Sequence, residues 1–169
     1  MKELWLLRHA KSDRNVDISD IDRPLKKRGK RDAKNVGEWL KNQHLIPDAI
    51  LSSPATRAIE TVKIIYEQLQ VDGLVIQEDS RIYATGIEEL KIVLSSCPES
   101  TQKILLVGHN PELENLLIHL VGKQALPDTE KLLPTSALVR LSIESEWTQL
   151  RQDCAKLLSI TYAKALREN

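Results

Sequence analysis

Leu4-Trp5-Leu6-Leu7-Arg8-His9 is an unbroken apolar run that stops on two basic side chains. A strand covered on both faces reads as such a run, whereas a half-exposed strand alternates. The layout returns twice downstream. Ala49-Ile50-Leu51 leads into Ser52-Ser53-Pro54-Ala55-Thr56-Arg57, and Ile104-Leu105-Leu106-Val107 leads through Gly108 into His109-Asn110-Pro111. Three buried strands are thus expected to deliver Arg8, Arg57, His9 and His109, a set suited to binding phosphate.

Around these runs, strand-like and helical patterns alternate, which predicts an α/β fold of three layers with a mostly parallel central sheet flanked by helices. A polar loop from Lys11 to Lys27 precedes a helix from Gly29 to Asn42, with Ala33, Val36, Trp39 and Leu40 at helical spacing. Ser53 is expected to N-cap the next helix with Pro54 at its first position, burying Ala58, Ile59, Val62, Ile65 and Leu69. Arg57 then falls in that helix's first turn. A strand at Leu74–Ile76, a helix at Ile87–Ser96 and a strand at Lys103–Val107 follow. Asn110 and Pro111 repeat the cap pattern ahead of Leu113, Leu116, Leu117 and Leu120. A last strand, Ala137–Ile143, alternates weakly and is expected near an edge; beyond Trp147 only a short helix at Ala163–Arg167 is legible.

The chain has 169 residues, which favours a single domain over 1–169. Lysine plus arginine equal aspartate plus glutamate at 24 each, so any anion site must be local, and neither nucleic acid nor membrane is expected as a partner. No basic segment precedes a long apolar stretch at the start, which argues against a signal peptide, and no stretch is long enough to span a bilayer. Cys97 and Cys154 lie far apart, without metal-ligand spacing. The expectation is a cytoplasmic monomer.

In open parallel sheets, ligands bind beyond the carboxyl ends of the strands. Helices starting there offer unpaired N–H groups and a positive dipole end, and arginine adds a planar fork that fits phosphate oxygens. Taken singly, each arginine is better read as an ion-pair partner and each histidine as a packed side chain. Three basic clusters in register favour a site.

Leu7-Arg8-His9-Ala10, Ser53-Pro54 leading to Arg57 and Glu60-Thr61, and Val107-Gly108-His109-Asn110-Pro111 together resemble the histidine phosphatase superfamily, from end to end of the chain. Asp22-Arg23-Pro24-Leu25 with Gly29 is similar to that family's segment before its first helix. The short length, Arg8-His9-Ala10-Lys11-Ser12 and the Thr135-Ser136-Ala137 approach to the last strand look most like its SixA-like branch of phosphohistidine phosphatases. The resemblance implies a phosphoglycerate mutase-like fold, with His9 as a nucleophile that forms a transient phosphohistidine. Arg8 and Arg57 would clamp the equatorial oxygens and His109 would donate to the phosphoryl group, with no cofactor or metal. His9 must be neutral to attack. Neighbouring arginines disfavour its protonated form, and a hydrogen bond from its other ring nitrogen to a carbonyl would present the lone pair.

Many relatives of this fold place a glutamate acid shortly after the third strand. Here the counterpart falls near Tyr83-Ala84-Thr85, which has no carboxylate, although Glu78, Asp79 and Glu88 are close in sequence. An alkoxide leaving group needs a proton donor, whereas an imidazole leaves more readily. The missing acid favours P–N cleavage, hence a phosphohistidine-bearing protein such as a phosphotransfer domain as partner. The absence of a long insertion between the Arg57 helix and the His109 strand fits an open site.

Lys11, Ser12 and Asp13 are weaker candidates for the pocket rim, where they could touch phosphate, substrate or water or simply shape the loop. His44 and His119 read as surface or packing residues. The basic run Lys26-Lys27-Arg28 with Lys30-Arg31 reads first as a solvated face and second as a dock for an acidic protein. Cys97 lacks the glycines and arginine of a cysteine-phosphatase loop, and Asp20-Ile21-Asp22 does not leave a buried strand as an aspartate nucleophile pair would. Two alternatives stay open: a small-molecule phosphomonoesterase of the same superfamily, or a phosphate-binding module with little turnover.

Overall fold

The computed structural model describes residues 1–167. Six strands, β1 (Lys2–Arg8), β2 (Ala49–Ser52), β3 (Ile76–Glu78), β4 (Lys103–Gly108), β5 (Leu138–Ile143) and β6 (Ala155–Thr161), form one sheet in the order β3-β2-β4-β1-β5-β6. β3, β2, β4 and β1 pair in parallel, β5 runs antiparallel to β1, and β6 runs antiparallel to β5. The helices are α1 (Lys27–Asn42), α2 (Thr56–Leu69), α3 (Ile87–Ser95), α4 (Glu112–Val121) and α5 (Ala163–Arg167).

The run that opens the chain shows why three layers form. Side chains alternate across a strand. Leu4 and Leu6 therefore join Ile104 and Leu106 under Leu90, Val93 and Leu94 of α3 and Leu113, Leu116, Leu117 and Leu120 of α4. Trp5 and Leu7 join Leu105 and Val107 under Val36 and Leu40 of α1 and Ala58, Val62, Ile65 and Leu69 of α2. A strand with helices on both sides has no wet face, so all four apolar residues are fully buried. The fold is that of the three-layer, mostly parallel sheet expected from the sequence.

Several boundaries differ from expectation, for tertiary reasons. α1 starts at Lys27, two residues earlier than read, and Gly29 packs so closely on the Lys11 backbone that a Cβ would run into the Lys11 carbonyl oxygen. α2 starts at Thr56 with Ala55 at its cap, so Ser53 and Pro54 lie ahead of the helix; the Ser53 hydroxyl accepts only from the Ala55 N–H (3.1 Å) and faces His109. Ile59 is half-buried rather than buried. α4 starts at Glu112, and Asn110, after a cis peptide to Pro111, donates to Glu114 and to the Leu133 carbonyl instead of capping. β3 lies at Ile76–Glu78, two residues beyond the expected run.

The strand read as the last is followed by one more, although it does lie near an edge, one strand in. β5 sits between β1 and β6 with five of its six residues buried, its one partly exposed residue, Arg140, paired with Glu3 over Trp5. β6 forms the edge; its half-exposed faces explain why its sequence gave no clear period. α5 falls where expected and is tied to α1 by a two-pronged pair from Arg167 to Asp32 (2.7 and 2.8 Å).

Candidate active site

β1, β4 and β2 are neighbours and point the same way, so Arg8, Gly108 and Ser52 end at one rim of the sheet. His9 and His109 are the first residues past two of these strands, and Arg57 is the second residue of α2. The backbone locks this rim. The His9 N–H donates to the Gly108 carbonyl (3.1 Å), the Ser53 N–H to Val107 (3.0 Å), and the Ser136 N–H to the carbonyls of Arg8 and His9 (3.1 and 3.2 Å). Thr61 pins the next step of the loop, accepting from the Ala10 N–H (3.0 Å) while donating to the Arg57 carbonyl (2.7 Å).

The two imidazoles lie with ring centroids 5.1 Å apart. His9 Nδ1 hydrogen-bonds the Ala10 carbonyl (2.8 Å). A carbonyl can only accept, so the proton sits on Nδ1 and Nε2 keeps its lone pair. Burial pushes the His9 imidazole down to about 3, and His109, Arg57 and Arg8 push the same way against the Ala10 hydrogen bond. His109 is pushed down to about 4, again first by burial and then by Arg57. Both rings are neutral at pH 7.

His109 Nε2 lies 2.8 Å from Ser53 Oγ. Because that oxygen already accepts from the Ala55 N–H, its own proton is free to go to Nε2, which places the His109 proton on Nδ1. Among the described residues, His109 Nδ1, Arg8 Nε and Arg57 Nε are all buried without a hydrogen-bond partner. Unpaired buried donors are costly and rare. Three of them around one nucleophile-competent nitrogen suit an oxyanion with several oxygens. Arg8 Nη1 is anchored on the Leu133 carbonyl (3.1 Å), which leaves the rest of its fork available.

Asp20, set aside in the sequence, occupies the mouth. Its carboxylate accepts from Arg57 Nη2 (3.0 Å), the Tyr83 hydroxyl (2.7 Å) and Arg23 Nε and Nη2 (3.1 and 2.9 Å). Its backbone carbonyl accepts from Arg57 Nη1 (2.6 Å). The Tyr83 hydrogen bond, then those of Arg23 and Arg57, hold this carboxyl well below the usual carboxylate range, so it is ionised and has no proton to give. Tyr83 stands edge-on to His109, with centroids 5.5 Å apart. Where the sequence reading looked for an acid, Tyr83 thus places a phenol whose hydroxyl is committed to Asp20.

Among the weaker candidates, buried Ser12 accepts from Arg23 Nη1 (2.8 Å) and bridges to Leu25. Asp13 accepts from the Asn15 N–H (2.9 Å), a turn within its own loop. The Lys11 carbonyl accepts from the Lys26 N–H (2.9 Å). These contacts brace the loop that carries Asp20. His44 closes the end of α1 in a left-handed conformation (φ 57°), and His119 lies on α4, both away from the pair of rings. Among the described residues no group of three or more His, Cys, Asp or Glu could hold a metal ion, and no helix is long and apolar enough to cross a membrane.

Residues 4–85 match the sequence model of the histidine phosphatase superfamily, branch 1. An uncharacterized protein of Mycobacterium tuberculosis is 32% identical over 161 residues, spanning 90% of this chain and 96% of its own length. A candidate phosphohistidine phosphatase SixA from Nakamurella multipartitia superposes with a TM-score of 0.80 at 26% identity, covering 95% of both chains. The chain belongs to the histidine phosphatase superfamily, in its SixA-like branch. The fold of a protein histidine phosphatase SixA bound to tungstate is also similar (TM-score 0.81, 19% identity, 97% of this chain and 99% of that one). Arg8, His9, Arg57 and His109, expected from the sequence to share a site, are brought together at this rim. Ser53 and Asp20 were missed as site residues. Ser53 resembled a helix cap, and Asp20 reaches its partners across 37 and 63 residues of chain, a pairing no local pattern announces.

Proposed function

We propose that this phosphatase removes phosphate from phosphohistidine on a partner protein, such as a cytoplasmic phosphotransfer domain, through a phosphoenzyme on His9. The observation that carries the reading is the ring of buried, unpartnered donors, Arg8 Nε, Arg57 Nε and His109 Nδ1, beside a His9 whose Nε2 lone pair is held ready. His9 Nε2 attacks phosphorus as the P–N bond to the substrate imidazole breaks; that ring, protonated on its other nitrogen, leaves as neutral imidazole, and the three donors take up charge on the equatorial oxygens. Water then attacks phosphorus, the bond to Nε2 breaks, and inorganic phosphate leaves with His9 neutral again.

The ionised state of Asp20 favours phosphohistidine over phosphoesters. A carboxylate held without its proton cannot protonate an alkoxide, whereas an imidazole is a far better leaving group. The SixA names of the similar structures point the same way. The test compares phosphate release from a phosphorylated phosphotransfer domain with hydrolysis of an aryl phosphate, in wild type and His9→Ala. Faster, His9-dependent release from the domain is expected. A preference for the aryl phosphate would move the reading to small phosphoesters, and neither activity would leave a phosphate-binding module.

A further inference from the structure

We infer that Asp20 is a positioning residue for the phosphate clamp: it grips Arg57 by both terminal nitrogens, so that the guanidinium meets an oxyanion along its Nε edge. The inference rests on the oxyanion pocket described above, and not on which phosphorylated group enters it.

The geometry leaves Arg57 little choice. Nη1 is taken by the Asp20 backbone carbonyl and Nη2 by the Asp20 carboxylate, from one residue acting through two different groups. A fork held at both tips cannot swing. Each terminal nitrogen keeps a second N–H, and Nε, which has no partner among the described residues, is buried like Arg8 Nε and His109 Nδ1.

Asp20 is itself held. Each carboxylate oxygen accepts two hydrogen bonds, Oδ1 from Arg23 Nε and Nη2 and Oδ2 from Arg57 Nη2 and Tyr83. That fills the roughly four acceptor sites of a carboxylate. Arg23 is braced in turn by the buried Ser12 hydroxyl, which follows the nucleophile by three residues. A chain of bonds therefore runs from the loop after His9 through Ser12, Arg23 and Asp20 to Arg57. With its acceptor sites filled, Asp20 is suited to hold the clamp rather than to touch the substrate.

The Asp20 side chain is 55% exposed, so its removal should spare the fold. The experiment measures binding of tungstate and of inorganic phosphate by calorimetry, with Tm alongside, for wild type, Asp20→Ala, Arg57→Ala and the double variant. Asp20→Ala is expected to bind both anions roughly tenfold to a hundredfold more weakly, the scale of one hydrogen bond to a charged group, while still unfolding cooperatively at a somewhat lower Tm. Acting through Arg57, it should add nothing in the Arg57→Ala background. Asp20→Asn, which sets an NH2 donor against the guanidinium, should weaken binding in the same direction. Unchanged or tighter binding by Asp20→Ala would overturn the inference, the latter by making Asp20 an internal competitor for Arg57; additive losses in the double variant would overturn it too. Anion binding needs no turnover, so absence of phosphohistidine hydrolysis with the expected binding pattern would count against the proposed substrate and leave the role of Asp20 standing.

Discussion

Replacing His9 should make this protein more resistant to acid. His9 and His109 are held near 3 and 4, whereas an unfolded histidine titrates near 6.5. Between those values the unfolded chain binds protons that the native state refuses, so stability must fall as pH drops below about 6.5 and keep falling toward the folded values. At about pH 5, each ring should by this linkage cost about 2 kcal/mol relative to about pH 7.5, and the two together about 4 kcal/mol. His9→Gln removes one ring, so its loss between the two pH values should be smaller than that of wild type by about 2 kcal/mol, whatever its absolute stability. The assay is urea unfolding followed by circular dichroism at the two pH values, in buffers free of phosphate because a bound oxyanion would stabilise the native state on its own. Equal pH sensitivity in wild type and His9→Gln would refute the reasoning, for it would mean that the buried ring titrates normally.

Three further outcomes follow from the same contacts. Ser53→Ala removes the partner that holds the His109 proton on Nδ1, so kcat should fall roughly tenfold or more, with Tm changed little; unchanged kcat would show that the tautomer is set elsewhere. Arg57→Ala should weaken phosphate inhibition and lower kcat together, by roughly a hundredfold or more in kcat/KM, because one clamp serves ground state and transition state. Arg167→Ala strands Asp32, which is 1% exposed and, among the described residues, keeps only Arg28 at 3.9 Å, and should cost about 3 kcal/mol in chemical unfolding without changing kcat.

The parts of this molecule that were legible in the sequence are those whose cause is local. Leu4–Leu7 and Ile104–Val107 are apolar without a break because helices cover both faces, and the basic residues that follow them stand at one sheet rim because neighbouring parallel strands end together. What was illegible depends on distant partners. Ser53 and Asn110 have the side chains of helix caps, yet one faces His109 and the other Glu114 and Leu133, so the helices start later than capping rules place them. Asp20 reads in the sequence only as half of an aspartate pair that fails as a nucleophile, and its place beside Arg57 and Tyr83, far along the chain, appears only in the fold. β6 escaped notice because an edge strand with both faces partly wet has no strict period, and missing it made β5 look like the last strand of the chain.

The central claim is that His9 Nε2 carries the phosphoryl group between substrate and water. The most direct measurement is a rapid alkaline quench of a single turnover with a phosphorylated photransfer-type histidine domain, followed by mass spectrometry and phosphorus NMR of the enzyme. The account predicts a transient, acid-labile phosphate on His9, attached at Nε2 and absent in His9→Ala. Turnover with no such label, or with the label on another residue, would contradict it.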